Sequence, residues 1–581
     1  MRLADDRTKW KGWLRDMANG MGSLYIGASG LQNSQNALNT TANNLANVDT
    51  KGYVRQQVLF ADRDYLNIGN ASISKQQTGL GLNILDVVHT RDYFLDRYYR
   101  TENGRQSFYE ATGEVTDGLI DVYQELEGEA FQDTLQGLLT AFQEMSKGPE
   151  VEVYQNLVVQ KSTVFLQRVS EMYRDMKEYQ SKINIKINQA IDRINELGHK
   201  LVEYNKEIVR IEAGGIETAM TLRDERDNVL DELSNLAKVD FSENVDGSVR
   251  VRLENVEFVN DAHVYEIKGM EDPVNGFVNP IWPQLSDMDR QQYTDVFNFT
   301  VDISSELNTD IGRLKALVLA RGDRAANYTD VSGLTADAYN NGAGMSVMMA
   351  GQAELDQLVH KIVTAVNDIL SPTKKVSFTA IDGTRYENAR VWDEENACLG
   401  ADGEKPGQEL FVRRGCDRYT KVQATDGTIY YVYNEESKTD TSKMYCIQGL
   451  MINPALVEEE SRIPHLEKNG EPAWGKIAEK MVNAWAAKDH IVNANNIAPC
   501  NFMGYYERMI VELSAKGNVY NGLATSLSSE VASIDNNRQQ VFGVSSDEEL
   551  TNMIKYQNAY NAASRFINVV SEMLEHLVTR L

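Results

Sequence analysis

Leucine recurs every seven residues near the N-terminus, at Leu24, Leu31, Leu38 and Leu45, with Ala28, Gln35 and Ala42 between them in the other seam position. At the opposite end, Met553, Tyr560, Ile567, Leu574 and Leu581 form one seven-residue row, and Tyr556, Ala563, Val570 and Leu577 form a second. A sustained 3–4 spacing puts such positions on one stripe of a helix, and that stripe packs against another helix. Both ends of the chain therefore need a helical partner. They either meet each other, as in an ordinary intramolecular bundle, or meet other copies of the chain. Four leucines are a thin basis for an isolated helix, because ordering each backbone residue costs roughly 1–2 kcal/mol and short helices are marginal in water. The expectation is ends that fray in a dilute monomer and form a coiled coil in an assembly.

Bulk properties narrow the function classes. At 581 residues the chain has room for three or four domains. With 85 acidic against 58 basic residues its formal charge is -27, which argues against a nucleic-acid backbone or an anionic membrane surface as the main partner. No run of 18 apolar residues is present, so no membrane span is expected. Residues 1–20 are basic and lack the apolar stretch of a secretory signal. They read as an upstream extension with Met21 as the start, or as a short amphipathic tail. The four cysteines (Cys398, Cys416, Cys446, Cys500) show no CxxC or Cys/His ligand spacing, so unpaired thiols or a disulfide are expected rather than zinc. The seven histidines are scattered, and HExxH, GxSxG and Walker sequences are absent. Neither an enzyme nor a cofactor is expected; the alternative is a hydrolase within 372–475, which a peptidase or glycosidase assay of that fragment would reveal.

Hydrophobic periodicity predicts a mainly α fold with β insertions. Residues 21–47 form the first helix, ended by the turn formers Asn47 and Asp49 and then Gly52. Short extended pieces follow at Val54–Phe60 and around Leu82–Val88, with Gly79-Leu80-Gly81 as a strand turn. From about 103 to 237 the pattern is helical, interrupted at Gly214-Gly215. Val249, Val251 and Leu253 alternate as a strand after the Asp246-Gly247 turn signal. Helices return at about 311–320 and 346–370. Residues 372–475 become β-rich, with turn signals at Asp382-Gly383 and Asp426-Gly427. The last helix starts at Ser546 with Glu549 three residues on, a capping-box pattern. The domain reading is a terminal coiled coil of 21–52 and 542–581, an elongated helical core of 53–371 and 476–541, and an inserted β-rich outer domain of 372–475.

The segment Ala42-Asn43-Asn44-Leu45-Ala46-Asn47-Val48-Asp49-Thr50-Lys51-Gly52-Tyr53 resembles the N-terminal signature of bacterial flagellar rod, hook and hook-associated proteins. Residues 536–581, with the NNRQQ run and Asp547-Glu548-Glu549-Leu550, resemble the matching C-terminal region. Within that superfamily, Leu222-Arg223-Asp224-Glu225-Arg226-Asp227, Leu230–Ser234, Gly312–Leu317 followed by Arg321, and Arg91–Asp96 resemble the hook-associated protein 1 family at the hook–filament junction. The resemblance covers about 21–370 and 480–581; it is loose over 372–475, and residues 1–20 depart from it.

The resemblance implies a structural subunit exported through the flagellar type III channel without a cleaved signal. Its implied partners are copies of itself in a ring, hook protein on one side, a second hook-associated protein on the filament side, and an export chaperone on the C-terminal helix. Asn43, Asn44, Asn47, Thr50, Gly52 and Tyr53 carry the motif. Read locally, each asparagine is a helix-end cap before it is a subunit contact, and Gly52 supplies a positive φ. A hook or rod subunit, or a cytoplasmic coiled-coil scaffold, is the alternative.

Overall fold

The computed structural model describes residues 3–50, 52–62, 66–67, 77–78, 81–89, 91–123, 131–214 and 218–579. Gly79, Leu80, Gly215 and Leu581 lie outside them, as do the side chains of residues 3–21 and of Leu577. The fold is mainly α with several small sheets. Helix α1 (Leu3–Ala46) leads into two antiparallel pairs, β1 (Gln56–Asp62) with β4 (Leu82–His89), and β2 (Leu66–Asn67) with β3 (Gln77–Thr78). Helices α2 (Tyr93–Tyr123), α3 (Phe131–Met145), α4 (Glu152–Glu212) and α5 (Met220–Leu236) follow. Strands β5 (Val239–Glu243), β6 (Val249–Leu253) and β7 (Val256–Val259) form a meander, and β8 (Lys268–Glu271) pairs with β9 (Val278–Ile281). After α6 (Arg313–Arg321), α7 (Ala336–Asn340) and α8 (Val347–Leu370) come β10 (Thr373–Thr379), β11 (Arg385–Trp392), β12 (Phe411–Arg413), β13 (Tyr419–Gln423), β14 (Ile429–Tyr433) and β15 (Leu450–Ile452). They form a four-stranded sheet in the order β10-β11-β14-β13 and a β12–β15 pair. Helices α9 (Pro454–Glu458), α10 (Trp474–Ala486), α11 (Phe502–Phe542) and α12 (Ser546–Thr579) complete the chain.

The residues gather into two compact units. One comprises Met1–Arg105, Ile194–Glu266 and Ser526–Leu581; the other comprises Gln106–Arg193 and Ile267–Thr525. The second unit is built around α8. Met348, Leu355, Leu358, Val359, Ile362 and Val366 of that helix are wholly inaccessible, and its polar Gln352, Glu354, Asp356 and Gln357 are buried with them. Phe142 packs against Trp474 and Trp485, and the Trp474 indole N–H donates to the Phe142 carbonyl at 2.9 Å. Asn367 fixes the start of β12 by accepting from the Leu410 and Phe411 amides, both at 3.1 Å, and donating to the Phe411 carbonyl at 2.7 Å.

Several elements differ from the sequence expectation. Helix α1 starts at Leu3 rather than at residue 21: residues 3–20 contain no proline and several strong helix formers, so the glycines at 20 and 22 do not stop it. The Asp-Gly turns at 246, 382 and 426 are present, each with glycine at positive φ. Strands β2, β3, β7, β8, β9, β11, β13 and β15 have no counterpart in that expectation. They are short, and β11 carries a register shift opposite Val376/Phe378 that breaks the alternation. Ser546 is the first residue of α12, and the Glu549 carboxylate binds Asn44 and Arg55 across the fold instead of closing a capping box.

Candidate functional site

In the first unit α1 and α12 lie antiparallel. A Cβ on Gly27 would stand 2.6 Å from Ile567 Cγ1, and one on Gly30 would stand 3.5 Å from Ala563 Cβ. The leucine row of α1 (Leu24, Leu31, Leu38, Leu45) is half-buried. The other row at the contact is not the expected one. Gly27, Ser34 and Thr41, three residues after each leucine, are buried, whereas Ala28, Gln35 and Ala42, four residues after, are exposed. Small side chains let the two backbones approach closely, so the seam turns toward glycine and serine rather than toward alanine. On α12, Met553, Tyr556, Tyr560, Ala563, Ile567 and Leu574 are half-buried and Val570 is buried. The Tyr556 ring lies 6.1 Å from Phe60 of β1. The opposite face of α12 is open to solvent and carries two exposed apolar groups: Ile554 is 61% exposed, beside Leu550, and Val569 53% and Met573 62%, beside Phe566, with Asn558, Asn561 and Arg565 between the groups.

The asparagine motif ties the base of this helix pair to the rest of the unit. Asn44 is 1% exposed, and its amide is fully occupied. Its oxygen accepts from the Tyr53 hydroxyl at 2.9 Å and the Gln56 amide at 3.1 Å. Its nitrogen donates to the Gln56 carbonyl at 2.9 Å and to Glu549 at 3.1 Å. Two donors and two acceptors exhaust what an amide can form. Asn47 instead bonds back to Asn43, Thr50 donates to Asn47, and Asn43 donates to the Tyr53 hydroxyl at 3.3 Å, so these three hold the helix end and the turn that follows it. Arg55 reaches α12 through Glu549 and Glu548, each at 2.8 Å. Gly52 has a φ of +78°, and a Cβ there would collide with the Asn228 side chain of α5. The Val54 amide donates to Asp224 at 3.1 Å. Burial, with Asp224 and Glu549 close by, pushes the Tyr53 hydroxyl up to about 12, so it remains a hydrogen-bond donor. Burial likewise pushes the Asp224 carboxyl up to about 7.

Helix α5 explains the arginine–aspartate motif. Asp224, Asp227 and Asp231 fall on one face at 3–4 spacing. Arg91 binds Asp227 and Asp96; Arg100 binds Asp231 at 2.6 Å and Asp227 at 3.0 Å; Arg538 of α11 binds Asp96 and Asp231, both at 2.9 Å. Burial disfavours the Asp227 charge, but Arg91 and Arg100 outweigh it and hold the carboxyl below its ordinary range. On the other side of α5, Arg223 pairs with Glu212 at 2.7 Å and Arg226 donates to the Gly247 carbonyl at 2.6 Å. Sequence reading matched this motif without assigning it a role; the spacing of its three aspartates is the signal that finds the network. In the second unit, Arg321 is fully buried and donates to Asn184 at 2.6 Å and to the Val278 carbonyl at 2.8 Å. Among the described residues no group of three His, Cys, Asp or Glu side chains is placed to hold a metal.

Comparison with known proteins follows the same segments. The family model for the flagellar hook-associated protein FlgK helical domain matches residues 117–372. Models for the flagella basal body rod protein and for the C-terminal region of flagellar basal body rod FlgEFG proteins match 24–53 and 540–580. The flagellar hook-associated protein 1 of Bacillus subtilis is 24% identical over 567 residues, which span 94% of this chain and 96% of that one. Over nearly its whole length this chain is similar to the flagellar hook-associated protein 1 family. The Escherichia coli family member is 20% identical, over 96% of this chain and 100% of its own. The flagellar hook protein FlgE of Borreliella burgdorferi is 39% identical, but over only 84 residues, 13% of this chain and 19% of its own. A solved structure of the flagellar hook junction protein FlgK from Burkholderia pseudomallei aligns at a TM-score of 0.49 and 10% identity, over 77% of this chain and 100% of that chain. The two terminal matches, 24–53 and 540–580, are the stretches that form the helix pair and its asparagine junction.

Proposed function

We infer that this chain is a structural subunit of the bacterial flagellum that joins the hook to the filament by helical self-assembly through α1 and α12. The observation that carries this reading is the apolar face of α12 left open once α1 is in place, with Ile554, Val569 and Met573 all more than half exposed. Exposed apolar groups of this kind, here Leu550–Ile554 and Phe566–Val569–Met573, mark interaction surfaces. Contacts between unlike faces of identical copies generate rings or open helical arrays rather than closed dimers. In this reading the rows at Leu24–Leu45 and Met553–Leu581 are the assembly seams: they close the helix pair in each copy, and the open face of α12 joins one copy to the next. Copies of the chain form a ring, with hook protein on one side and a second hook-associated protein on the filament side. An export chaperone holds α12 until the chain leaves the cell through the flagellar export channel, without a cleaved signal. Residues 372–475 then face the medium.

Deletion tests this. Loss of the gene is expected to leave hooks in place while filament subunits are shed into the medium, and immunogold labelling of intact flagella is expected to mark the hook–filament boundary. Loss of the hooks themselves would make the chain a hook or rod subunit. Label confined to the cytoplasm would make it a scaffold.

A further inference from the structure

Residues 156, 160, 163, 167, 170, 174 and 177 of α4 recur at 3–4 spacing and so share one side of that helix. None of them is buried. Gln160, Thr163, Gln167 and Ser170 leave the middle of the row uncharged, and charge collects at its two ends. At one end Arg174 and Lys177 line a groove of about 470 Å³ with Arg414, which follows β12, and Gln448, which precedes β15. The Gln448 amide donates to the Tyr173 hydroxyl at 2.6 Å, and that hydroxyl donates to the Ala326 carbonyl at 2.8 Å, so the floor is held in place. Glu178 is the one acid among the described residues that line the groove. Local pairs cancel the other charges on this part of α4: Glu178 with Lys182 at 3.1 Å, Arg174 with Asp175 at 3.5 Å and Arg168 with Glu171 at 4.0 Å. Asp356, behind the floor, is inaccessible, and its oxygens accept from the Ile447 amide at 2.6 Å and the Tyr328 amide at 2.8 Å. Lys177 and Arg414 remain, both exposed and without an ion-pair partner among the described residues.

The other end of the row is acidic. Asn156 donates to Glu460 at 2.8 Å and ties α4 to the turn that follows α9. Glu458, Glu459 and Glu460 are consecutive there, and Asp402 and Glu404 lie close to Arg462. Arg462 binds Glu459 at 3.0 Å and approaches Asp402 at 3.8 Å, so one base stands among five acids. Lys161 of α4 lies over α3 instead: a Cβ on Gly137 would stand 3.8 Å from its Cδ. Glu458 is exposed with no ion-pair partner among the described residues, and Val457 beside it is 56% exposed. At 1.5 Å per residue the acidic turn and the basic groove stand roughly 25 Å apart along α4, too far to meet in one chain. Two chains of formal charge -27 repel over most of their surfaces. Uncompensated cations therefore select where a second copy can touch, and its acidic turn is the complement. A contact between these unlike faces leaves one of each free at either side, so it continues from copy to copy.

We propose that the groove of Arg174, Lys177 and Arg414 in one copy receives the Glu458–Glu460 turn of the next, a subunit contact separate from the terminal helices. This rests on the self-assembly reading above. The test assembles a mixture of unlabelled and 15N-labelled full-length chain and treats it with a carbodiimide, which joins a lysine amine to a carboxylate in contact with it. The expected product is an amide between Lys177 and Glu458 or Glu459 whose two peptides come from differently labelled copies. Arg414→Glu keeps the reacting lysine and is expected to lower that product about tenfold, because it sets like charges against each other. Adding Glu458→Lys and Glu459→Lys to Lys177→Glu and Arg414→Glu is expected to restore the assembly that the latter two weaken. Lys177 links confined to one copy, or to acids outside 458–460, would overturn the proposal and leave self-assembly standing. So would a Lys177 link to a different protein in isolated flagella with none between copies. Failure of the mixed chains to assemble at all, read by sedimentation, would overturn both.

Discussion

At the scale of single residues, Asn44 and its neighbours show how one side-chain type can do different work. Asn43 and Asn47 satisfy the end of α1 locally, as helix-end chemistry predicts. Asn44 joins α1, the strand entry at Gln56 and α12 through its own amide. The sequence cannot separate the three, since the difference lies in partners up to 505 positions away. Asn44→Leu is expected to destabilise the chain by roughly 2–4 kcal/mol, because it strands buried donors and acceptors; urea unfolding followed on the first unit measures this. Gly52→Ala is expected to cost roughly 2–3 kcal/mol, combining a left-handed backbone with the collision on Asn228. Adding Asn228→Ala should relieve the collision alone and recover about half of that loss. Asp224 makes a pH prediction. Its carboxyl sits near 7 when folded against an ordinary 3.8, so the folded state holds a proton that the unfolded state has released between those values. The stability that its neutral form contributes is therefore complete below about pH 4 and lost as pH rises through 7. Asp224→Asn keeps an acceptor for the Val54 amide. It should flatten this fall, a difference on the order of 2–4 kcal/mol across the window, measured by comparing unfolding midpoints at pH 4.5 and 7.5.

At the scale of elements, the helices were legible and their phase was not. Long amphipathic patterns gave α4, α5, α8 and α12, because burial of a stripe leaves a 3.6-residue imprint on the sequence. The second row of the α1 contact face left no such imprint. Gly27, Ser34 and Thr41 are invisible to a count of apolar residues, yet they are what the α12 backbone approaches. Ala28 looked apolar and faces solvent. Two adjacent substitutions test the assignment. Gly27→Leu should force α1 off Ile567 and lose much of the helicity of both terminal helices, read by circular dichroism and limited proteolysis. Ala28→Leu should leave them unchanged. Reversed outcomes would restore the row read from the sequence. The three-arginine network of Arg91, Arg100 and Arg538 escaped notice for another reason: its members come from the start of α2, from α5 and from α11, and only the fold brings them together.

At the scale of the whole molecule, the two kinds of helix contact differ in what they bury. In α8 most side chains are inaccessible, so opening it exposes an entire core. Between α1 and α12 the wholly or nearly buried apolar side chains are Ala37 and Val570, and the rest of the seam is half-exposed or polar. At about 25 cal/mol per Å² of apolar surface, such a contact holds far less free energy than α8 does. Local opening follows buried contact, so the terminal pair belongs to the low-stability end of the molecule. Hydrogen exchange should read this directly. In dilute protein, amides of residues 24–45 and 553–579 are expected to exchange roughly a thousandfold faster than those of 353–366, and to slow toward them once copies assemble. A subunit whose ends are tightened by its neighbours assembles only where a neighbour is already in place, which is what a junction between two different tubes requires. Equal protection of the termini and of α8 in the dilute protein would sink that account, because the ends would then have nothing left to gain from a neighbour.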